Sequence, residues 1–202
     1  HNGKVIIDQA GNQRKMKLEI DDMKIPFMAW SAGQKEFMPL LLGIYCLSGP
    51  PTQVVNREDY EWVIIEEPEM GLHPQAIQSV LLEIIELIKN GYKVIVSTHS
   101  TTFPEFVWAF NNLQNLPEED FKTAMSEIFG ISMHSTAANL FDNLKGKNIK
   151  TFYSGKQTNS QGVTFADIST LDALSNDADV AEWGGLSSFA GKSSEIVSRY
   201  GE

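Results

Sequence analysis

The hydrophobic pattern of the first sixty residues predicts short strands followed by a helix. Residues 5–7 and 25–30 are short, mostly apolar segments, and residues 16–20 alternate apolar and polar, so all three predict strands. Residues 10–13 have the composition of a turn. A helix is predicted to begin at Ser31 as N-cap and to contain the apolar run 37–47. Residues 48–61 predict a polar loop.

The middle of the chain has the pattern of a strand–helix–strand unit. Residues 62–65, Trp-Val-Ile-Ile, form a continuous apolar run, which predicts a strand buried on both faces of a parallel sheet. Residues 75–89 carry apolar side chains at helical spacing and end at Asn90-Gly91, a C-cap signal. Residues 93–97 predict the next buried strand. The predicted fold class is therefore α/β with a mainly parallel sheet.

The pattern is weaker after residue 99. It predicts helices at residues 102–112 and 118–129, a hairpin of strands 151–153 and 163–165 around a long loop, and a final helix at 193–200. We divide the chain into residues 1–110, a head segment, and residues 111–202, an α+β extension whose hairpin packs on the head.

Charge and composition narrow the classes of partner. The chain has 16 Lys and Arg against 26 Asp and Glu, a formal net charge of −10. Such a surface repels phosphate backbones, so nucleic acid is expected to contact only other parts of an assembly. No run approaches the ~18 apolar residues of a membrane span, and no membrane partner is expected. The single cysteine, Cys46, fits a cytoplasmic location.

Two adjacent acids end the first apolar strand of the predicted unit. Functional residues of open α/β sheets collect at the carboxyl ends of the strands, where Glu66 and Glu67 stand. Their side chains point to different sides, so one can hold Mg²⁺ while the other activates a water that attacks a γ-phosphate. A solvated acidic loop is the alternative. A structural zinc or metallohydrolase site of Glu66, Glu67 and Glu69 with His73 is another alternative, although Pro68 and Pro74 disfavour a continuous helix that would bring Glu69 and His73 to one face.

Two further segments suggest phosphate chemistry. His99 follows the next strand and can reach a γ-phosphate from the same sheet edge, or it is structural. Residues 30–36, Trp-Ser-Ala-Gly-Gln-Lys-Glu, stand at a strand-to-helix junction, where small residues and free N–H groups can bind an anion. The alternative is a capping box of Ser31 with Gln34.

In this order the three segments resemble the ABC ATPase superfamily. Ser31-Ala32-Gly33-Gln34 resembles its signature motif, usually written LSGGQ; residues 62–67 resemble Walker B with the catalytic glutamate; and residues 94–99 resemble the strand with the switch histidine. The string Glu-Glu-Pro-Glu-Met-Gly-Leu-His-Pro at 66–74 is most similar to RecF- and SMC-related stand-alone ATPases. The likeness covers residues 25–105. It departs from the family at Glu66, usually aspartate, at Ala32, usually glycine, and in a lengthened spacing between signature and Walker B.

The resemblance implies ATP hydrolysis with Mg²⁺ by a head-to-head homodimer. Glu66 would bind Mg²⁺, Glu67 would polarise the attacking water, and His99 would contact the γ-phosphate. Residues Ser31, Ala32, Gly33 and Gln34 would bind ATP held by the opposite subunit, and residues 70–73 would form the D-loop that crosses the dimer interface.

A P-loop is missing from this pattern. The nearest string, from Gly185 to Ser193, has five residues between its first and next glycine where the G-x-x-x-x-G-K-[ST] pattern has four, and it predicts a loop before the last helix. The chain also starts without Met, as a fragment or processed chain does. We therefore expect the P-loop half on another polypeptide or fragment, and little ATP hydrolysis by this chain alone.

Two rival functions remain open. Some RecF-related ATPases carry a nuclease domain of the Toprim type, and Asp177-Ala178-Asp179 resembles its Asp-x-Asp element, although a capping role for these aspartates is the alternative. The other rival is a scaffold that binds nucleotide without turnover. The resemblance to DNA-repair and phage-defence ATPases favours a mechanochemical or sensor role over transport.

Overall fold

The computed structural model describes residues 3–10, 13–48, 60–156 and 162–200. The strands are β1 (Gly3–Ala10), β2 (Gln13–Ile20), β3 (Met23–Pro26), β4 (Trp62–Glu66), β5 (Lys93–Ser97), β6 (Phe152–Lys156) and β7 (Val163–Asp167). The helices are α1 (Ala32–Ser48), α2 (Pro74–Lys89), α3 (Thr102–Leu113), α4 (Glu118–Ile128), α5 (Ala178–Ala181) and α6 (Ser188–Tyr200). None of the described helices is long and apolar enough to cross a membrane.

The strands form three small sheets in the described part of the chain. β1, β2 and β3 make an antiparallel sheet in that order, β4 and β5 are a parallel pair, and β6 and β7 are an antiparallel hairpin. The chain is therefore mixed α/β, and the strand–helix–strand unit predicted in its middle is confirmed as β4–α2–β5. The mainly parallel sheet expected from the sequence is not what the described residues form, because parallel pairing there is limited to β4 and β5. The predicted turn at 10–13 and loop at 48–61 fall partly or mostly on residues outside the described ranges. The predicted loop at 154–162 is wrong for residues 154–156, which belong to β6, and residues 157–161 lie outside the described ranges.

The third predicted strand is shorter than expected. β3 ends at Pro26, and residues 27–29 form a 3₁₀ turn. Trp30 is buried after this turn, where its Nε1–H donates to the carbonyl of Ile25 at 3.0 Å and its ring meets the Phe27 ring edge-on at 5.1 Å. Burial of the Trp30 side chain with its indole N–H hydrogen-bonded stabilises the chain more than a longer β3 would.

The hydrophobic core surrounds α2 and extends into the later helices. Leu87 of α2 is fully buried, as are Phe110 of α3, Phe121 of α4 and Phe141 of a 3₁₀ turn, and all belong to one cluster. The rings of Phe110 and Phe121 meet edge-on at 5.6 Å, a favourable aromatic geometry. This core includes residues on both sides of the boundary predicted at residue 110.

The last helix begins earlier than predicted, at Ser188 and not near residue 193. Gly184 and Gly185 both have positive φ, so they turn the chain just before it, and the Ser188 hydroxyl donates to the Gly185 carbonyl at 2.9 Å. The first turn escaped the hydrophobic pattern because Ala190, Gly191 and Lys192 give it little apolar periodicity. The predicted loop of the P-loop-like string is therefore wrong for residues 188–193, which are helical.

Candidate functional site

The carboxyl ends of β4 and β5 lie side by side. The two strands pair in parallel with Glu66 opposite Ser97. Because side chains alternate along a strand, Glu66 and Ser97 project to the same face as Ile64 and Ile95, and all four are exposed. A carboxylate and a hydroxyl from neighbouring strands thus open to solvent at one edge of the sheet.

Glu67 leaves the strand in an unusual backbone conformation. Its φ is +44°, a left-handed value that is costly for a residue with a Cβ. Its N–H still donates to the Ser97 carbonyl at 2.9 Å, so the neighbouring strand helps to hold it there. Left-handed residues that a structure tolerates at such a cost are concentrated at functional sites.

The Glu67 side chain lies beside His99. His99 Nε2 is 3.4 Å from Glu67 Oε1, and 83% of the His99 side chain and 43% of the Glu67 side chain are accessible to solvent. An exposed pair of this kind contributes little to folding stability. The arrangement can instead accept a proton at the carboxylate and present an imidazole N–H or lone pair to a bound group.

Glu69, two residues after Glu67, accepts hydrogen bonds from the segment that follows β5. Its Oε1 accepts hydrogen bonds from the Thr98 hydroxyl at 2.8 Å and from the His99 backbone N–H at 2.6 Å. The sequence pointed to Glu69 only as a partner of His73 in a metal site. His73 has another role, because its Nδ1 accepts the Gln75 N–H as the N-cap of α2, with Pro74 in the first turn.

The signature-like segment forms a capping box. Gln34 Oε1 accepts the Ser31 N–H at 3.0 Å, and Ser31 Oγ accepts the Gln34 N–H at 3.3 Å. These reciprocal bonds satisfy two N–H groups at the start of α1. The capping box that the sequence suggested as an alternative for this segment is therefore present. Phosphate binding by residues 31–34 stays a prediction.

The start of α1 packs directly on the loop that follows Glu67. A Cβ added at Gly33 would lie 2.0 Å from the Gly71 carbonyl oxygen, and one added at Gly71, where φ is +70°, would lie 2.6 Å from the Gly33 Cα. Only glycine permits this approach at both positions. Gly33 and Gly71 belong to separate sequence motifs, and no local pattern indicates that they touch.

A cleft of about 690 Å³ contains both acids. α1 contributes Glu36, Phe37 and Leu40 to one wall, and the sheet edge with its following turn forms the other wall, through Ile64, Ile65, Glu66, Glu67, Pro68, Met70 and Ser97. Ser31–Gln34 are not among these lining residues. Glu36 is a third carboxylate of the cleft that the sequence analysis did not single out, since it lies within the capping segment of a helix.

The donor set fits a hard divalent cation. Glu66, Glu67 and Ser97 supply oxygen atoms, which Mg²⁺ prefers, and Mg²⁺ in nucleotide sites commonly takes only one or two carboxylates with waters and phosphate oxygens completing its shell. No cluster of three or more His, Cys, Asp or Glu side chains suited to a metal occurs among the described residues.

The aspartates of the Asp-x-Asp element have a local role. Asp177 is the N-cap of α5, and its Oδ1 accepts the Asp179 N–H at 2.9 Å. This is the capping alternative considered from the sequence.

Comparison with known proteins finds two likenesses. Residues 15–103 match a family described as AAA domain, putative AbiEii toxin, Type IV TA system. The chain is also similar to the Old nuclease of Escherichia phage P2, with 44% identity over 59 residues, which are 29% of this chain and 10% of that protein. The likeness thus spans about a tenth of that relative's length. No solved structure matches. The matched residues 15–103 include Glu66, Glu67 and His99, so the likeness to an AAA-domain family falls on the part of the chain that carries the candidate site.

Proposed function

We propose that residues 15–103 form the Walker B, signature and switch-histidine half of a Mg²⁺-dependent, ABC-type ATPase head of the RecF- and SMC-related kind. The observation that carries the proposal is the placement of Glu67: it leaves β4 with a left-handed φ, and its carboxylate lies 3.4 Å from His99 Nε2 at the carboxyl edge of two parallel strands. Ligand sites of α/β sheets occur at this edge.

The chemistry assigned to the pair is hydrolysis of a phosphoanhydride. The Glu67 carboxylate orients the attacking water and accepts its proton as the oxygen bonds to the γ-phosphorus and the bond to the bridging oxygen breaks. His99 hydrogen-bonds the γ-phosphate and so fixes its position. Glu66, with the Ser97 hydroxyl beside it, would hold Mg²⁺, which neutralises phosphate charge.

We propose that the missing P-loop half docks on the solvent-exposed face of the β4–β5 sheet, called the open face below. Trp62, Ile64 and Ile95 project from this face and are 55%, 69% and 49% exposed. Parallel strands are normally covered on both faces, and a contiguous exposed apolar surface marks an interaction site. A P-loop half docked here would bring its phosphate-binding loop to the edge that carries Glu66 and Glu67.

The dimer of heads is the second part of the proposal. Gly33 of the signature-like segment and Gly71 of the D-loop segment are in contact, so the two motifs lie on one continuous surface. A second head would meet this surface, and residues 31–34 would then exchange their capping bonds for contacts with the γ-phosphate of ATP on the opposite subunit.

The relatives' names suggest the setting. One is described as a putative toxin family and the other as a phage nuclease, so we place the ATPase in a phage-defence or DNA-repair type of system. Nuclease activity is the second candidate, and the name of the Old nuclease is what favours it. Metal-dependent DNA cleavage that is lost in Asp177→Ala would support it; cleavage that persists in this variant would remove Asp177 from consideration.

A substitution of Glu67 separates an enzyme from a scaffold. In the complete protein, with the P-loop half present, Glu67→Gln should lower the rate of ATP hydrolysis by about 10²–10⁴-fold, the usual effect of losing a general base, and should accumulate an ATP-bound dimer detected by light scattering. Glu61→Gln is the matched control, since Glu61 is exposed and pairs with Lys93 at the far end of the strands. Unchanged hydrolysis and dimerisation in Glu67→Gln would refute the assignment.

A further inference from the structure

Glu69 connects the two segments that carry Glu67 and His99. Its Oε1 receives both the Thr98 hydroxyl at 2.8 Å and the His99 backbone N–H at 2.6 Å, across a sequence separation of about thirty residues. Its Oε2 is buried and has no hydrogen-bond partner among the described residues. A carboxylate that accepts two donors at one oxygen makes strong, charge-assisted bonds.

The position of Glu69 relative to Glu67 is fixed by a tight turn. The Met70 N–H donates to the Glu67 carbonyl and the Leu72 N–H donates to the Glu69 carbonyl, both at 3.0 Å. Pro68, between the two glutamates, is buried and restricts the backbone further. Glu69 therefore presents its carboxylate from a rigid frame that also carries Glu67.

The segment after β5 depends on this carboxylate for its shape. Thr98 Oγ1 donates to Glu69 and accepts the Ser100 N–H at 3.0 Å, so one chain of hydrogen bonds runs from Glu69 into the turn that bears His99. The contact between the His99 and Glu67 side chains is largely exposed, and exposed pairs do not hold their own geometry well. The two bonds to Glu69 have a charged acceptor, and the one from Thr98 is partly buried, so together they restrain the His99 backbone more strongly than the side-chain contact does.

We propose that Glu69 is a positioning residue for the switch histidine: it anchors the His99 backbone to the turn that carries Glu67, and so sets the 3.4 Å separation of imidazole and carboxylate. The geometric part of this proposal stands on the bonds of Glu69 alone. Its catalytic consequence rests on the proposed ATPase function.

Amide hydrogen exchange tests the anchor directly in this chain. Glu69→Ala should speed exchange of the His99 N–H by about tenfold or more, because the lost bond has a charged acceptor, while amides in the middle of α2 exchange as in the wild type. Glu69→Gln keeps an oxygen that can accept both bonds and should retain most of the protection. Unchanged exchange at His99 in Glu69→Ala would overturn the proposal.

Thr98→Val provides a second test of the hydrogen-bond chain, one that leaves Glu69 unchanged. It removes the hydroxyl while keeping the shape of the side chain, and it breaks the link between Glu69 and Ser100. We expect the Ser100 N–H to exchange several-fold faster and the His99 N–H to lose part of its protection. If both amides stay as protected as in the wild type, the hydrogen-bond chain has no positioning role.

The catalytic consequence is measured in the complete protein with its P-loop half. Glu69→Ala should lower kcat for ATP hydrolysis by about tenfold or more while KM for ATP stays nearly constant, since misplacement of a catalytic group acts on the transition state. Glu69→Gln should recover most of kcat. Equal loss in the Ala and Gln variants, or a rise in KM with constant kcat, would contradict positioning through Oε1. If Glu67→Gln leaves hydrolysis intact, the ATPase assignment fails, and the exchange experiment still decides the role of Glu69.

Discussion

The two faces of the β4–β5 sheet are built from the same kind of residue and have opposite environments. On one face Ile65 is buried and Val63, Val94 and Val96 pack against the core around α2. On the other face Trp62, Ile64 and Ile95 are open to solvent. Alternation along a strand assigns each side chain to a face, but it does not determine what covers that face. The uncovered face and the acids at its edge lie on one surface, which supports the proposal that a partner interface and a catalytic site share it.

The largest contrast between the faces should appear in folding stability. Ile65→Ala, on the buried face, should lower the free energy of unfolding by about 2–5 kcal/mol because it leaves a cavity. Ile64→Ala, one position earlier on the open face, should change it by no more than about 0.5 kcal/mol. Urea denaturation of both variants measures the difference. Equal losses would mean that Ile64 is as well covered as Ile65.

The contact that places α1 beside the open face can be tested with two glycines of one helix. Gly33→Ala would push a methyl group onto the Gly71 carbonyl and should destabilise the chain by about 1–3 kcal/mol, as overpacking does. Gly43, in the same helix, has nothing within 4 Å of its added Cβ, so Gly43→Ala should stabilise by up to about 1 kcal/mol through helix propensity. Thermal unfolding should therefore move in opposite directions for the two variants. If Gly33→Ala instead raised the unfolding temperature, Gly33 and Gly71 could not be in the close contact described above.

Substitutions at Glu67, whose backbone is strained, should change the free energy of unfolding by a smaller amount. Glu67→Gly relieves the left-handed φ and should raise the free energy of unfolding by about 1 kcal/mol, while it removes the carboxylate that we propose acts in hydrolysis. Glu66→Gly, in the regular strand, should lower stability by about 0.5–1 kcal/mol. Denaturation curves of the two variants test the sign. Destabilisation by Glu67→Gly would show that the side chain contributes more than the backbone conformation costs.

Much of the fold around the site was predictable because its signals are local. Hydrophobic period, cap residues and glycines placed β4, α2 and β5 nearly where they occur, and Asn90-Gly91 marks the end of α2 through an Asn90 C-cap and a positive φ at Gly91. The prediction that β4 is buried on both faces was wrong. An apolar run shows that a strand can be buried on both faces, but it does not show which elements of this chain cover those faces.

The missed features of the site depend on contacts between distant segments. Glu69 reaches Thr98 and His99 only because the parallel register places the ends of β4 and β5 together, and no spacing within one motif encodes that contact. The left-handed φ of Glu67 was equally unforeseen, since glutamate has no preference for that region. The positions of Glu66, Glu67 and His99 at or just beyond the ends of β4 and β5 were predictable because position at a strand end is itself a local signal, and their catalytic roles remain a proposal.

We propose above that the open face and its acidic edge are half of an ATPase site. The most direct measurement is the rate of ATP hydrolysis by this chain alone and after addition of the P-loop half, for the wild type and for Glu67→Gln. We predict negligible hydrolysis by the chain alone, turnover on addition of the P-loop half, and loss of that turnover in Glu67→Gln. Robust hydrolysis by the isolated chain that Lys192→Ala abolishes would refute the proposed half-site, since it would place a phosphate-binding lysine in α6.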